Sequence, residues 1–181
     1  MAVSQANRVR IIAGRWRRRI IRFPGVPGLR PTPDRVRETL FNWLGQDLEG
    51  ARCLDLYAGS GALSLEAASR GASLAVAVDR DRRLTGALSA NAAALVADAL
   101  EIHTSDARAY LERESRAFDV IFLDPPFDED PWSWLLPACR ARLAPSGVIY
   151  AEARRALDPG EGLVTRRSDK AGQVHYHLFA C

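Results

Sequence analysis

Leu54-Asp55-Leu56-Tyr57-Ala58-Gly59-Ser60-Gly61-Ala62-Leu63 decides how the chain is read. Cys53 to Leu56 is a short apolar strand, Gly59 and Gly61 frame a tight turn, and Gly61 to Arg70 has the composition of a helix that stops at Gly71. The first amides of a helix lack intrahelical acceptors, and glycine lets a ligand approach the main chain closely. The segment therefore offers a cluster of free N–H groups at the carboxyl end of a strand, where open α/β sheets hold ligands. A dinucleotide fingerprint needs a third glycine at position 64, and Ser64 stands there. Asp55 would repel a pyrophosphate and suits a cationic, amino-acid-like group instead. A lone G-x-G also fits an ordinary tight turn, so the rest of the chain has to decide.

Outward from this stretch, strands and helices alternate. Leu74 to Val78 is a second buried strand, Asp81 to Ala97 an Ala-rich helix, Leu100 to His103 a third strand, and a short helix ends near Arg113. Phe118 to Leu123 is a fourth strand, Pro131 to Leu143 a helix and Gly147 to Ala151 a fifth strand. Repeated strand–helix units predict a parallel sheet covered by helices on both faces. Leu163 to Arg167 and Gln173 to Phe179, with a turn near Asp169-Lys170-Ala171-Gly172, predict an antiparallel hairpin at one end of the sheet. Towards the N-terminus, Val9 to Ile12 and Arg19 to Arg22 predict a small hairpin turning at Ala13-Gly14. Thr32-Pro33-Asp34 opens a helix with Thr32 as its cap and Pro33 as its first residue; Val36, Leu40, Trp43 and Leu44 form the apolar stripe.

Acids close several of these strands. Asp79 follows Leu74-Ala75-Val76-Ala77-Val78, twenty residues after Gly59, the spacing at which an acid binds ribose hydroxyls in nucleotide-binding α/β folds; capping the next helix is an equal reading. Asp106, after the third strand, could accept from an adenine amine, although a cap is the commoner use of such a residue. The sharpest signal is Asp124-Pro125-Pro126-Phe127, directly after Val120-Ile121-Phe122-Leu123. Two prolines remove two backbone donors and leave carbonyls free to accept. With the Asp124 carboxylate and the Pro125 carbonyl they make an acceptor-rich cup for an –NH2 group, and Phe127 supplies a face on which a base can stack. The bland alternative is a strand exit with a buried aromatic.

Composition narrows the class. The chain has 181 residues, 48% hydrophobic and 26% charged, as expected of one globular unit with a core of its own. No apolar run is long enough to span a membrane, and the N-terminus lacks a secretory h-region, so a cytoplasmic protein with no membrane partner is expected. Cys53, Cys139 and Cys181 are too far apart for a zinc site or a disulfide framework; Cys53 is expected in the core and Cys181 exposed. His175 and His177 share a strand face but have no acid or cysteine partner, and no metal is expected. Trp132 and Trp134 could border a base pocket, but read first as packing at a helix start. Net charge is only +3, unevenly placed: residues 1–37 hold ten arginines and one acid, net +9, and the remainder is net −6. Arg15, Arg17, Arg18, Arg19 and Arg30, with Trp16 among them, point to a phosphate-rich partner, the alternative being a solvated surface. The expected division is a basic hairpin arm over residues 1–30 and the α/β unit over 31–181.

In this order the motifs resemble the bacterial 16S rRNA guanine-N2 methyltransferases of the RsmD type, over nearly the whole chain. The specific parts are Arg10-Ile11-Ile12-Ala13-Gly14-Arg15-Trp16, the long block from Arg30 to Leu44, Leu54 to Leu63 with Ser69-Arg70-Gly71-Ala72, and Phe122 to Phe127. Two departures are Ser64, where the family usually has glycine, and Asp79, where it often has glutamate. The resemblance implies a seven-stranded, Rossmann-like class I S-adenosylmethionine-dependent methyltransferase fold with an N-terminal basic hairpin. It implies methyl transfer to N2 of a guanine in 16S rRNA, within the small ribosomal subunit or an assembly intermediate; the chain is expected to act as a monomer. On this reading Asp55, Tyr57, Gly59, Gly61, Asp79 and Asp106 bind the cofactor, Asp124, Pro125 and Phe127 act on the base, and the five arginines bind RNA. Three rivals remain: a DNA adenine-N6 methyltransferase, against which the short chain counts; a non-catalytic RNA-binding assembly factor, against which intact Asp55, Gly59, Gly61 and Asp124 count; and an NAD-dependent oxidoreductase, against which Ser64 counts.

Overall fold

The computed structural model describes residues 7–181, so the first six residues of the expected 1–30 arm lie outside the described part. Nine strands and five helices follow one another as β1 (Asn7–Arg10), β2 (Ile20–Phe23), α1 (Asp34–Leu44), β3 (Arg52–Asp55), α2 (Ala62–Ser69), β4 (Leu74–Asp79), α3 (Arg82–Leu95), β5 (Leu100–Thr104), α4 (Ala107–Arg113), β6 (Phe118–Leu123), α5 (Trp132–Arg140), β7 (Leu143–Ala153), β8 (Val164–Ala171) and β9 (Val174–Ala180). Seven strands form one sheet in the order β5-β4-β3-β6-β7-β9-β8, and β1 pairs with β2 apart from it. The first five are parallel; β9 runs antiparallel to both β7 and β8.

Side chains alternate across this sheet with period two. Leu54, Val76, Ile121 and Ile149 enter the core under α4 and α5, with Trp132, Leu135 and Cys139. Cys53, Val120, Phe122, Tyr150 and Tyr176 face the opposite way, against Val36, Leu40 and Phe41 of α1 and Leu63 and Ala67 of α2. The same alternation carries Asp55, Asp79, Asp124 and Glu152, at or just beyond the carboxyl ends of β3, β4, β6 and β7, to the α1–α3 side. Parallel strands between two helical layers read as continuous apolar runs, which is why Val120 to Leu123 shows no alternation in the sequence.

The β1–β2 hairpin packs on the same side. Val9, Ile11, Trp16, Ile21 and Phe23 are buried with Leu65 of α2, Leu88 and Leu95 of α3, and Ala75 and Ala77 of β4. Against the expected Val9–Ile12 and Arg19–Arg22, β1 ends two residues earlier and β2 is shifted one residue later, and Ile11 to Arg19 form a broad loop laid on the end of α2. That loop is held by main-chain contacts: Ile12 and Ala13 N–H donate to Glu66, both at 2.9 Å, Arg15 N–H donates to the Ser69 carbonyl and Trp16 N–H to the Ser69 hydroxyl. A Cβ at Gly14 would stand 1.9 Å from the Ser69 carbonyl oxygen, so only glycine allows so close an approach. Glu66 is fully buried and also takes Arg37, at 3.3 Å, and Arg70, at 2.9 Å. Arg37, fully buried too, continues to Asp34 and to the carbonyls of Arg10 and Thr32. One carboxylate thus ties hairpin, α1 and α2 together.

The start of α1 corrects one expectation. Thr32 does not cap the helix: Pro33 is the cap residue without a side-chain bond, Asp34 begins the helix, and the Thr32 hydroxyl donates to Glu152 across the sheet edge at 3.0 Å. A long-range carboxylate outcompetes the local amide for that hydroxyl. β7 also runs from Leu143 to Ala153, longer at both ends than the apolar run Gly147 to Ala151, because its pairing with β6 is irregular between Phe118 and Val120 and its outer half pairs with β9. Among the described residues no helix is long and apolar enough to cross a membrane.

Candidate active site

The loops leaving three neighbouring strands, β4, β3 and β6, converge at the carboxyl edge of the sheet. The turn from Tyr57 to Gly61 leaves β3 with Gly59 and Gly61 at positive φ, 53° and 77°, conformations that non-glycine residues adopt only with strain. Its shape is set from below by Asp79, whose Oδ2 accepts from Gly59 N–H at 2.8 Å while Oδ1 accepts from Asp81 N–H at 2.8 Å. Asp79 is therefore not the cap of α3; Asp81 is. Asp106 caps α4, accepting from the N–H groups of Arg108 and Ala109, and stays exposed at the neighbouring edge. Here the commoner use of such a residue is met, and its second oxygen is left for a ligand.

Asp55 is the anomaly of the turn. It is buried, and its Oδ2 has no hydrogen-bond partner. Burial, and after it the negative charge of Asp79, push its pKa up from 3.8 to about 7, while Ser64 and the Tyr57 backbone pull it back, as expected when desolvation outweighs hydrogen bonding to the charged form. Ser64, fully enclosed at the start of α2, thus lends a polar group to Asp55 that glycine would not. A buried acceptor without a donor is costly. A ligand bringing a cationic donor, such as the amino-acid end of S-adenosylmethionine, fits that orphan oxygen.

Asp124 lies just past β6, half-buried, and makes no hydrogen bond among the described residues. Desolvation first, then the charges of Glu152 and Asp55, hold its carboxyl well above the usual carboxylate range, since both disfavour the ionised form. Pro125 behind it is buried, and Phe127 stands 38% exposed with the Arg154 guanidinium 5.2 Å from its ring centre. Arg80, next to Asp79, pairs at 2.8 Å with Glu129, two residues past Phe127, and so links the two lips of the cleft. Tyr57 is half-buried between them. Trp132 enters the core as expected, and Trp134 lies half-buried under Arg108, 4.5 Å from its ring.

The structure brings together Asp55, Tyr57, Gly59, Gly61, Asp79, Asp124, Pro125 and Phe127. It sets the arginines apart in two places. Arg30, exposed, precedes Thr32 at the site edge. Arg15, Arg17, Arg18 and Arg19 instead project from the loop at the far end of α2, an eight-residue helix away from the glycine turn; at the helical rise per residue that is about 12 Å. The sequence reading passed over Glu152, which is 4% exposed and accepts from the hydroxyls of Thr32 and Tyr150. The signal was available: it is an acid directly after an apolar strand, as Asp55, Asp79 and Asp124 are. His175 and His177 stack on each other, and His177 Nε2 accepts from Leu157 N–H, a use in packing.

A sheet of five parallel strands closed by an antiparallel pair, with an orphan carboxylate under its first glycine turn, places the chain among the class I S-adenosylmethionine-dependent methyltransferases. Within that class it belongs to the family described as Conserved hypothetical protein 95, whose model matches residues 9–180. The chain is 40% identical to ribosomal RNA small subunit methyltransferase D of Escherichia coli, over 97% of this chain and 91% of that one. It is 37% identical to the enzyme of the same name from Haemophilus influenzae, over 94% and 93%. The solved structure of Escherichia coli yhhF superposes with a TM-score of 0.86 at 39% identity, covering 96% of this chain and 97% of that one. The 16S rRNA N2 G1207 methyltransferase RsmC of Thermus thermophilus, solved with AdoMet and guanosine, gives 0.71 at 27% identity, over 99% of this chain and 51% of that one.

Proposed function

We propose that the chain transfers a methyl group from S-adenosylmethionine to N2 of a guanine in 16S rRNA, acting in the cytoplasm as a monomer on the small ribosomal subunit or an assembly intermediate. The observation that carries this is Asp124: a carboxylate without a protein donor, at the sheet edge beside the glycine turn, with the Pro125 carbonyl and an exposed ring next to it; the Pro126 carbonyl, expected to be free as well, accepts from Glu129 N–H at 2.9 Å. The names of the two curated relatives support ribosomal RNA as substrate, and the guanosine complex of the Thermus structure supports guanine N2.

Asp55, Tyr57, the Gly59–Gly61 turn, Asp79 and Asp106 would hold S-adenosylmethionine, which when bound supplies an electrophilic methyl group. The work of the remaining residues is on the amine. A guanine N2 lone pair is delocalised into the ring and is a poor nucleophile. Asp124 and the Pro125 carbonyl accept hydrogen bonds from the two N–H groups, favouring a pyramidal nitrogen and fixing where its lone pair points; positioning and fixed dipoles then lower the barrier. Phe127 offers a stacking face to a base that must leave its helix or loop to reach the cup. After transfer Asp124 takes the proton that nitrogen sheds. Its raised pKa makes it a more competent base than an ordinary carboxylate.

The test is methylation of small subunits from a strain lacking the endogenous activity, with labelled S-adenosylmethionine and nucleoside mass spectrometry. N2-methylguanosine in 16S rRNA is the expected product. N6-methyladenosine would replace guanine by adenine as the target, and retained subunit binding without transfer would make the chain an assembly factor.

A further inference from the structure

One buried carboxylate at the substrate edge has no part in the mechanism above. Glu152 is 4% exposed near the end of β7, and the register that pairs Leu123 with Ala151 sets it beside Asp124. Its Oε1 accepts from the Thr32 hydroxyl at 3.0 Å and the Tyr150 hydroxyl at 2.8 Å. Its Oε2 accepts no hydrogen bond among the described residues. Both hydroxyls pull on one oxygen, so they fix the rotation of the carboxylate and leave the other oxygen for a donor from elsewhere. Asp124 is equally without a donor. Two adjacent strands, about 4.8 Å apart, therefore present paired acceptors to whatever enters the cup. The proximity is felt electrostatically, since Glu152 is one of the charges that raise the Asp124 pKa.

The geometry points to Glu152 as the residue that selects guanine, its free oxygen accepting from the guanine N1–H while Asp124 accepts from the N2 amine. This rests on the guanine-N2 reading above and deepens it. Guanine is the purine whose pairing edge carries two adjacent donors, N1–H and the N2 amine. Adenine and cytosine each offer one amine beside a ring nitrogen that accepts. The Asp-Pro-Pro-Phe cup serves any exocyclic amine, so it cannot tell these bases apart, and discrimination has to come from a neighbour. With adenine bound, the Glu152 oxygen would face the N1 lone pair, buried and without its donor. Sites built to hydrogen-bond a group reject an analogue that lacks it far more strongly than apolar pockets reject a size change. Thr32 belongs to the segment leading into α1, so the long Arg30–Leu44 block gains a purpose at the base: it holds the selecting carboxylate in place.

The experiment uses the full chain and reconstituted small subunits. Mass spectrometry on unmodified subunits first locates the methylated guanine. A second set then carries 2-aminopurine there, which keeps the N2 amine but has an acceptor at N1. Wild-type single-turnover transfer should fall about 10- to 100-fold on 2-aminopurine, the worth of one hydrogen bond to a charged group. Glu152→Gln keeps an oxygen for the two hydroxyls and turns a donor towards N1. It should lose rate on guanine and gain on 2-aminopurine, so that the ratio of rates moves towards or past unity, with cofactor affinity unchanged. Thr32→Val, removing one of the two hydroxyls, should shift the ratio the same way by less. Gain on the altered base is a readout that misfolding cannot give. An unchanged ratio in Glu152→Gln, or equal losses on both bases, overturns the assignment, and so does a loss of cofactor affinity, which would put Glu152 at the cofactor instead. The first step separates the two levels: N6-methyladenosine there defeats the guanine reading itself, whereas N2-methylguanosine followed by an unchanged ratio defeats only the role of Glu152.

Discussion

Replacing Glu66 by alanine should cost the chain a large part of its stability and free its arginine-rich loop. The carboxylate is fully buried and holds Arg37 at 3.3 Å, Arg70 at 2.9 Å and the amides of Ile12 and Ala13 at 2.9 Å each. Removing one member of a buried charge network typically costs about 3–5 kcal/mol, because the partners stay buried without it. Arg37 keeps Asp34 at 2.6 Å and two carbonyls, and Arg70 keeps the Gln46 carbonyl and the Phe41 ring, 4.3 Å away, which holds the cost to that range rather than above it. Against a total of roughly 5–15 kcal/mol for a domain this is severe, and at about 2–4 °C per kcal/mol for this length it lowers Tm by roughly 6–20 °C. Urea denaturation measures the loss. Limited trypsin digestion reads its location, since Arg15, Arg17, Arg18 and Arg19 should become the earliest cleavage sites once Ile12 and Ala13 lose their acceptor. Glu66→Gln, which keeps one acceptor oxygen, should lie between. A loss below about 1 kcal/mol with an unchanged urea slope, and no new early cleavage, would refute the view that this carboxylate is what joins hairpin to helices.

Three further outcomes are expected. Asp124→Ala should nearly abolish single-turnover transfer while calorimetry shows cofactor affinity within a few-fold of wild type, because in the proposed mechanism its partner is the substrate amine. Asp55 gives a pH signature. Its folded pKa is about 7 against an ordinary 3.8, so its contribution to the stability of the ligand-free chain is full below the ordinary value and lost as pH rises through the folded one. A cationic ligand needs the ionised form, so S-adenosylmethionine affinity should rise about tenfold from pH 6 to pH 8 with proton release, and Asp55→Asn should flatten that profile. Neutralising Arg15, Arg17, Arg18 and Arg19 together should weaken subunit binding and reduce the log–log salt slope by roughly 0.7–0.9 per lost phosphate contact, leaving cofactor affinity unchanged; equal slopes for variant and wild type would make the loop a mere solvated surface.

The framework was legible because it depends on local signals. Apolar runs, glycine stops and the acid after each strand located β3, β4, β6 and their turns to within a residue or two. With them came Asp55, Gly59, Gly61, Asp79 and Asp124. What escaped depends on partners far away in sequence. Glu66 sits in Ala62-Leu63-Ser64-Leu65-Glu66-Ala67-Ala68-Ser69, where an acid on a helix reads as a solvated residue, and only the arrival of Arg37 and the hairpin amides makes its burial tolerable. Thr32 had the residue type and position of a cap, but its acceptor is 120 residues away. Glu152 carried the local signal, an acid directly after the apolar run that ends at Ala151, but its burial and its partner Thr32 come from far away in the chain. The hairpin was read from its two β-rich runs and its role from charge; that its other face, with Ile11, Trp16, Ile21 and Phe23, is core was not read.

The docking of the 11–19 loop has a consequence for how this chain can change. Its anchors are peptide groups: the amides of Ile12, Ala13, Arg15 and Trp16 and the carbonyl of Ala13. Apart from Ile11, Gly14 and Trp16, the loop asks little of side-chain identity: Arg15, Arg17, Arg18 and Arg19 are exposed, with Arg15 5.8 Å from the Trp16 ring and Arg18 at a positive φ of 69° as the constraints among them. Charge on this surface is therefore a dial that mutation can turn one arginine at a time without loosening the mount it sits on. If this surface meets RNA as proposed, its affinity can drift, or be re-engineered, at nearly constant fold stability, with the glycine turn at the other end of α2 an eight-residue helix away.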